Sequence, residues 1–258
     1  MGQTTKTKKG PTKIKKMYYA RFIFRILVLL AAIATYIWLP ESIDIMLGFN
    51  MFKTVNVMHI FLAIWIVEIT MQFLPLIGKF SIGSLKHFQQ CMQKATIKDE
   101  LKHLRNMVQK QIKANIGAFK VLVLWITLFV IVGVLSALQI LTHKELFVLA
   151  AFLYFCDLVC VLFFCPFQTY IMKNKCCVNC RIYDWGHFMM FTPMLFIKNF
   201  FSWSLFFTSL FVLIHWEIVY AKHPQRFWSG SNQTLQCQHC KDKTCQMKKA
   251  LSGGGKQK

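Results

Sequence analysis

Apolar residues run almost unbroken for about a bilayer's thickness at several places in this chain, with the polar residues gathered into blocks between them. Four such runs stand out, at about Tyr18–Leu39, Val57–Ile77, Ile116–Leu141 and Leu146–Ile171. Each is near the ~20 residues a helix needs to cross a bilayer's hydrocarbon core. In lipid every backbone N–H and C=O must pair within its own segment, and strand-length alternation is absent, so these runs can only be helices. Pro40 and Pro75 mark ends of the first two. A last apolar stretch, His187 to Ala221, is 35 residues long and contains Pro193 and Lys198-Asn199. It predicts either one span at about Phe200–Tyr220, which puts the tail on the far side, or a re-entrant hairpin that returns it. The expected fold is all-α: a polytopic integral membrane helix bundle of four spans plus a C-terminal fifth span or re-entrant hairpin.

Polar spacing refines the segments between the runs. In the 79–115 loop, Ile97, Leu101, Leu104, Val108 and Ile112 recur every three or four residues, with Lys98, Lys102, Arg105 and Lys113 on other faces. That is the pattern of a basic amphipathic helix, able to lie on anionic lipid, on a partner subunit or on the inner ends of the spans. Thr96 followed by Asp99 predicts a capping box at its start. The organisation expected is a basic head at 1–16, a membrane domain at 17–221 with a cysteine-rich loop at 171–186, and a basic cysteine-containing tail at 222–258.

Composition agrees: 55% of residues are hydrophobic, 16% are charged and 25 are Phe. The formal net charge of +21 would suit nucleic acid, but the bases lie in blocks between apolar runs, the pattern of topology-setting loops. No nucleic-acid partner is therefore expected. Residues 1–25 hold eight Lys and Arg, 79–115 hold eight and 171–186 hold three, against Lys53 and Lys144 alone in the two alternate loops. A multi-pass protein of the cell membrane follows, with a cytoplasmic N-terminus and its basic loops against the anionic inner leaflet. The first apolar run lacks a small-x-small cleavage site and reads as a retained span rather than a signal peptide. Lys6 stands where a myristoylation motif needs Ser or Thr.

The cysteines carry the most legible chemistry. Cys177-x-x-Cys180 is followed 57 residues later by Cys237-x-x-Cys240, with Cys176 and Cys245 beside the pairs. Thiols two residues apart can point at one metal, and two such pairs complete a four-thiolate site. The expected cofactor is an iron–sulfur cluster or zinc on Cys177, Cys180, Cys237 and Cys240, with Cys176 or Cys245 as substitute ligands. Cys165-Pro166, the surplus of thiols and the nearby Tyr183, Trp185 and Phe188 favour a cluster, hence membrane electron transfer with a redox partner or partner membrane subunit. Wide separation of the pairs speaks against a ferredoxin-type run. The alternative is a transport or assembly subunit with structural zinc. A third reading is copper or other soft-metal handling by His187, Met190 and Met194.

Polar residues inside spans are costly and so point to function. Glu68 and Asp157 lie deepest, with His59 and His187 as further candidates, whereas Lys120, His215 and Glu217 fall near interfaces where they can snorkel. No His pair has a spacing specific for haem. Glu100-x-x-His103 has no second copy and reads as a solvated face. Asn232-Gln-Thr is a sequon only if the tail faces a secretory lumen.

Overall fold

A computed structural model describes residues 13–45, 53–71, 82–96, 98–174, 176–240, 243 and 245. Residues 1–12 of the basic head, Gln72–Ile77 of the second apolar run, Ile97 and the end of the tail lie outside the described residues. Among the described residues eight α-helices follow in order: α1 Lys13–Trp38, α2 Pro40–Asp44, α3 Val57–Thr70, α4 Ile82–Leu85, α5 Glu100–Ala137, α6 His143–Leu162, α7 Gly186–Phe191 and α8 Phe200–Lys222. No strand forms among the described residues beyond one isolated bridge, Lys94 to Asn232. α1, α5, α6 and α8 are each long and apolar enough to cross a membrane, so the chain is a multi-pass all-α membrane protein.

The predicted boundaries shift where local chemistry decides. The fourth run stops at Leu162 rather than Ile171, because Pro166 has no N–H and its ring clashes with the preceding turn. The chain resumes as a single π-helical turn at Phe167–Ile171. The third run and the amphipathic segment are one continuous 38-residue helix, whereas the described residues between 82 and 99 hold only the short α4 and a 3₁₀ turn at Gln89–Cys91 instead of a helix running through the whole of 79–115. The cap of α5 is Asp99, whose carboxylate accepts the Lys102 N–H at 3.1 Å, and not the Thr96 capping box expected. Genuine capping boxes form at α3 (Asn56 with His59) and α6 (Thr142 with Glu145).

The stretch 187–221 takes the re-entrant path. α7 and a 3₁₀ segment at Thr192–Phe196 lead away from the end where α6 finishes. Phe196 then packs on Phe129 and Gly133, near the end of α5. Asn199 caps α8 by accepting the Ser202 N–H at 2.8 Å, and α8 runs back. Trp216, near its close, donates to the Arg181 carbonyl at 3.0 Å. The tail and the 172–186 loop therefore share one end of the bundle, called the basic end below.

Trp65 of α3 is fully buried at the centre, its ring edge-on to Tyr154, Phe191 and Phe201 and tilted against Phe61 and Phe147. Apolar side chains such as Leu27, Phe119, Val130 and Phe211 point outward instead. On a membrane protein this outer apolar surface meets lipid, so association of the helices rests on packing and interhelical hydrogen bonds.

Candidate functional site

Two polar constructions lie where α6 meets its neighbours. The first is a buried ion cluster. Arg25 sits midway along α1, ~18 Å from either end at 1.5 Å per residue. Its guanidinium donates to Glu68 Oε1 of α3 at 2.8 Å, to Asp157 Oδ2 of α6 at 2.7 Å and to the Tyr154 carbonyl at 2.8 Å. It also stacks 4.2 Å above the Tyr154 ring. A cation at this depth persists only when its charge and donors are matched, and three helices converge to do so. Gly186 permits the approach: a Cβ there would collide with Asp157 Oδ1. Glu68, Asp157 and His187 then line a cavity of about 490 Å³ together with Arg21, Arg25 and Asp184. Three of the four intramembrane candidates thus meet. His59 stands apart, in the first turn of α3, where its Nδ1 accepts the Asn56 N–H at 3.0 Å.

The second construction is a thiol cavity. Cys156 and Cys160 lie one helical turn apart on α6, Cys165 follows the break before Pro166, and the loop brings Cys177 and Cys180 under the end of the helix. All five line one cavity of about 120 Å³, with Met189 and Met190 on α7 completing a set of soft donors. The Cys160 and Cys165 thiols are hydrogen-bonded to one another. Cys177 Sγ donates to Gln168 Oε1 at 3.0 Å, while the Gln168 N–H donates to Cys165 Sγ at 3.4 Å. Trp125 and Phe167 supply apolar wall. Burial pushes the Cys180 thiol up to about 12, with the Lys86 ammonium opposing. No disulfide forms among the described residues.

The predicted metal ligands therefore divide. Cys177 and Cys180 face the bundle and the α6 cysteines. Cys176 packs with Val178 and Leu235 on the tail side, its thiol raised by burial and to a lesser degree by Cys177 and Cys240. Cys237 is exposed, and Cys240 and Cys245 are half-buried. Among the described residues no three His, Cys, Asp or Glu side chains already stand at metal-holding spacing. Cys156 and Cys160 escaped the sequence reading as donors, although their four-residue spacing puts both on one helix face. Arg25 escapes as well, because it closes the basic block at 1–25 that reads as a topology signal.

The basic end is closed by a polar layer that orders the loop. Lys86 is buried, hydrogen-bonded to the Val178 carbonyl, and faces the rings of Trp216 and Phe227 at 5.6 Å. His87 pairs with Asp184 at 2.6 Å and stacks on His215, centroids 4.8 Å apart. Arg181 forms a two-pronged pair with Glu217, which also accepts the Trp185 indole N–H at 2.8 Å. The tail is fastened to this layer: Arg226 donates to the His87 carbonyl at 3.0 Å, and the Gln233 N–H donates to the Gln93 carbonyl at 2.8 Å. Asn232, the sequon residue, is 1% exposed and donates to the Arg226 carbonyl at 2.9 Å.

No family model matches this chain, and neither a curated protein nor a solved structure proves similar to it.

Proposed function

We propose that this is a membrane metalloprotein whose thiophilic centre is built from the cysteines at the end of α6 and in the 176–180 loop, and that it works in membrane electron transfer. One observation carries the reading: Cys156, Cys160, Cys165, Cys177 and Cys180 line a single small cavity. Soft thiolates select iron–sulfur clusters, zinc or Cu(I), and five exceed the four that a structural zinc uses. An iron–sulfur cluster is the leading form, supplying one-electron chemistry beside the bilayer interior. Neutral thiols suit the apolar cavity while it holds no cation; a bound metal reverses this preference and keeps its ligands as thiolates.

The tail lies at the same end of the bundle, so Cys240, which neighbours Cys176, is a candidate exchange ligand beyond the five cavity thiols. The charge pattern supports a cell-membrane location with the basic end at the cytoplasmic face, against anionic lipid and within reach of a redox partner. Protein purified without oxygen should be coloured, with visible absorbance that bleaches on reduction and with iron and acid-labile sulfide in proportion. A colourless protein holding stoichiometric zinc sinks the electron-transfer reading.

A second reading is favoured by the ion cluster. A cavity of about 490 Å³ lined by Glu68, Asp157 and His187 suits a small polar solute or cation moved across the membrane. Glu68→Gln and Asp157→Asn should then stop uptake into vesicles. Unchanged uptake of a candidate solute in both variants dismisses it.

A further inference from the structure

We propose that a third cavity, between α5 and the loop after α6, binds the phosphate of an anionic phospholipid. This cleft of about 620 Å³ is lined by Lys110, Lys113 and Lys120 of α5 and by Lys173 and Arg181 of the loop, with no acidic residue in its lining. Arg181 is already committed to Glu217. The four lysines have no carboxylate within ion-pair distance among the described residues, which leaves a concave site of uncompensated positive charge.

Depth identifies the phosphate as a lipid's. α5 has 38 residues, ~57 Å of helix, whereas ~30 Å of hydrocarbon takes ~20 residues. Counting back from Ala137 places the hydrocarbon edge near Ala118. Lys110 and Lys113 then lie at headgroup level, and Lys120 reaches it by extending its stem outward. On the same helix Ile112, Ile116 and Phe119 are more than half exposed, giving acyl chains an apolar surface beside the cleft. The opposite wall carries Tyr220 and Trp228, aromatic rings of the kind that settle at membrane interfaces. Lys173 is held at φ 47°, a left-handed conformation that costs a non-glycine side chain energy and that fixes it on the cleft. Gly117 lets the loop approach so closely that a Cβ would stand 2.8 Å from Met172 Sδ.

The test uses the full chain in nanodiscs of mixed phosphatidylglycerol and phosphatidylcholine, with retained lipids read by native mass spectrometry. Phosphatidylglycerol should be enriched over its bulk fraction by at least ~10-fold, the scale expected from several lysines near a lipid surface. The variant K110Q/K113Q/K120Q/K173Q should retain lipid at the bulk ratio, and the corresponding Lys→Arg variant should keep the enrichment. K173Q alone, one substitution on an exposed turn, guards against a misfolded quadruple variant and should lower enrichment several-fold. Bulk-ratio binding by the wild type, or enrichment unchanged in the glutamine variants, overturns the proposal. A second arm titrates inorganic phosphate into protein in phosphatidylcholine nanodiscs while Trp fluorescence is followed, and no saturable change is expected. A saturable change abolished by the glutamine variant shows the site to be one for free phosphate and overturns the lipid assignment.

Discussion

Replacing Arg25 by Met is the sharpest perturbation of the helix bundle. The substitution keeps the volume and removes the charge that Glu68 and Asp157 share, together with three hydrogen bonds of 2.7–2.8 Å. Removing one member of a buried ion cluster costs ~3–5 kcal/mol, because the remaining charges are left uncompensated. Here the two carboxylates are 27% and 21% exposed, towards a cavity that can admit water or a proton, so the lower figure of ~3 kcal/mol applies. At ~2–4 °C per kcal/mol for a chain of this size, the unfolding midpoint should fall by ~6–12 °C. Circular dichroism of detergent-solubilised protein on heating reads this directly. The triple variant R25M/E68L/D157L leaves no stranded charge and should be more stable than R25M alone. Gly186→Val displaces Asp157 from Arg25 and should cost ~1–3 kcal/mol by overpacking, with a smaller loss in an Asp157→Ala background. A shift under ~2 °C for R25M, or a triple variant less stable than the single one, refutes the cluster as the tie between α1, α3 and α6.

Two further outcomes are expected. Burial raises the Cys180 thiol to about 12 in the fold, above the ~8.5 of an unfolded chain, so its neutral form contributes stability that is complete below ~8.5 and is lost as pH rises towards 12. Metal-free protein should therefore lose thermal stability from about pH 8.5 upward, and Cys180→Ala should flatten that limb; an unchanged slope contradicts the burial of this thiol. The re-entrant path of 187–221 puts the two termini on one side of the membrane. An impermeant maleimide should thus label Cys237, which is exposed, and a cysteine introduced as Q3C together or not at all in intact cells. Labelling of one without the other breaks that topology.

Helix existence was legible in the sequence because the apolar runs match a bilayer's thickness, and the re-entrant path was among the two routes that the length of 187–221 allowed. Its choice depended on contacts that no local pattern encodes, such as Phe196 on Gly133 and Trp216 on the Arg181 carbonyl. Boundaries failed where one residue outweighed the run: Pro166 ended α6 early, and α5 continued from the amphipathic segment without a break. Arg25 was hidden by its setting, since with Arg21 it continues the basic block of residues 1–25 into the first apolar run and reads as a topology signal until its partners on two other helices are known. The cysteines show the same limit. Spacing in the chain grouped Cys177 and Cys180 with Cys237 and Cys240, whereas the fold turns the first pair towards Cys156, Cys160 and Cys165, which only the packing of α6 against its own following loop brings near.

The central claim is that the working thiols lie in the α6 cavity. It is tested most directly by metal-to-protein ratios on anaerobically purified wild type and two double variants, C160S/C177S and C237S/C240S. The wild type should hold metal in stoichiometric amount, C160S/C177S should lose most of it, and C237S/C240S should keep most of it. A metal-free wild type, or a centre that survives C160S/C177S and disappears in C237S/C240S, contradicts the account.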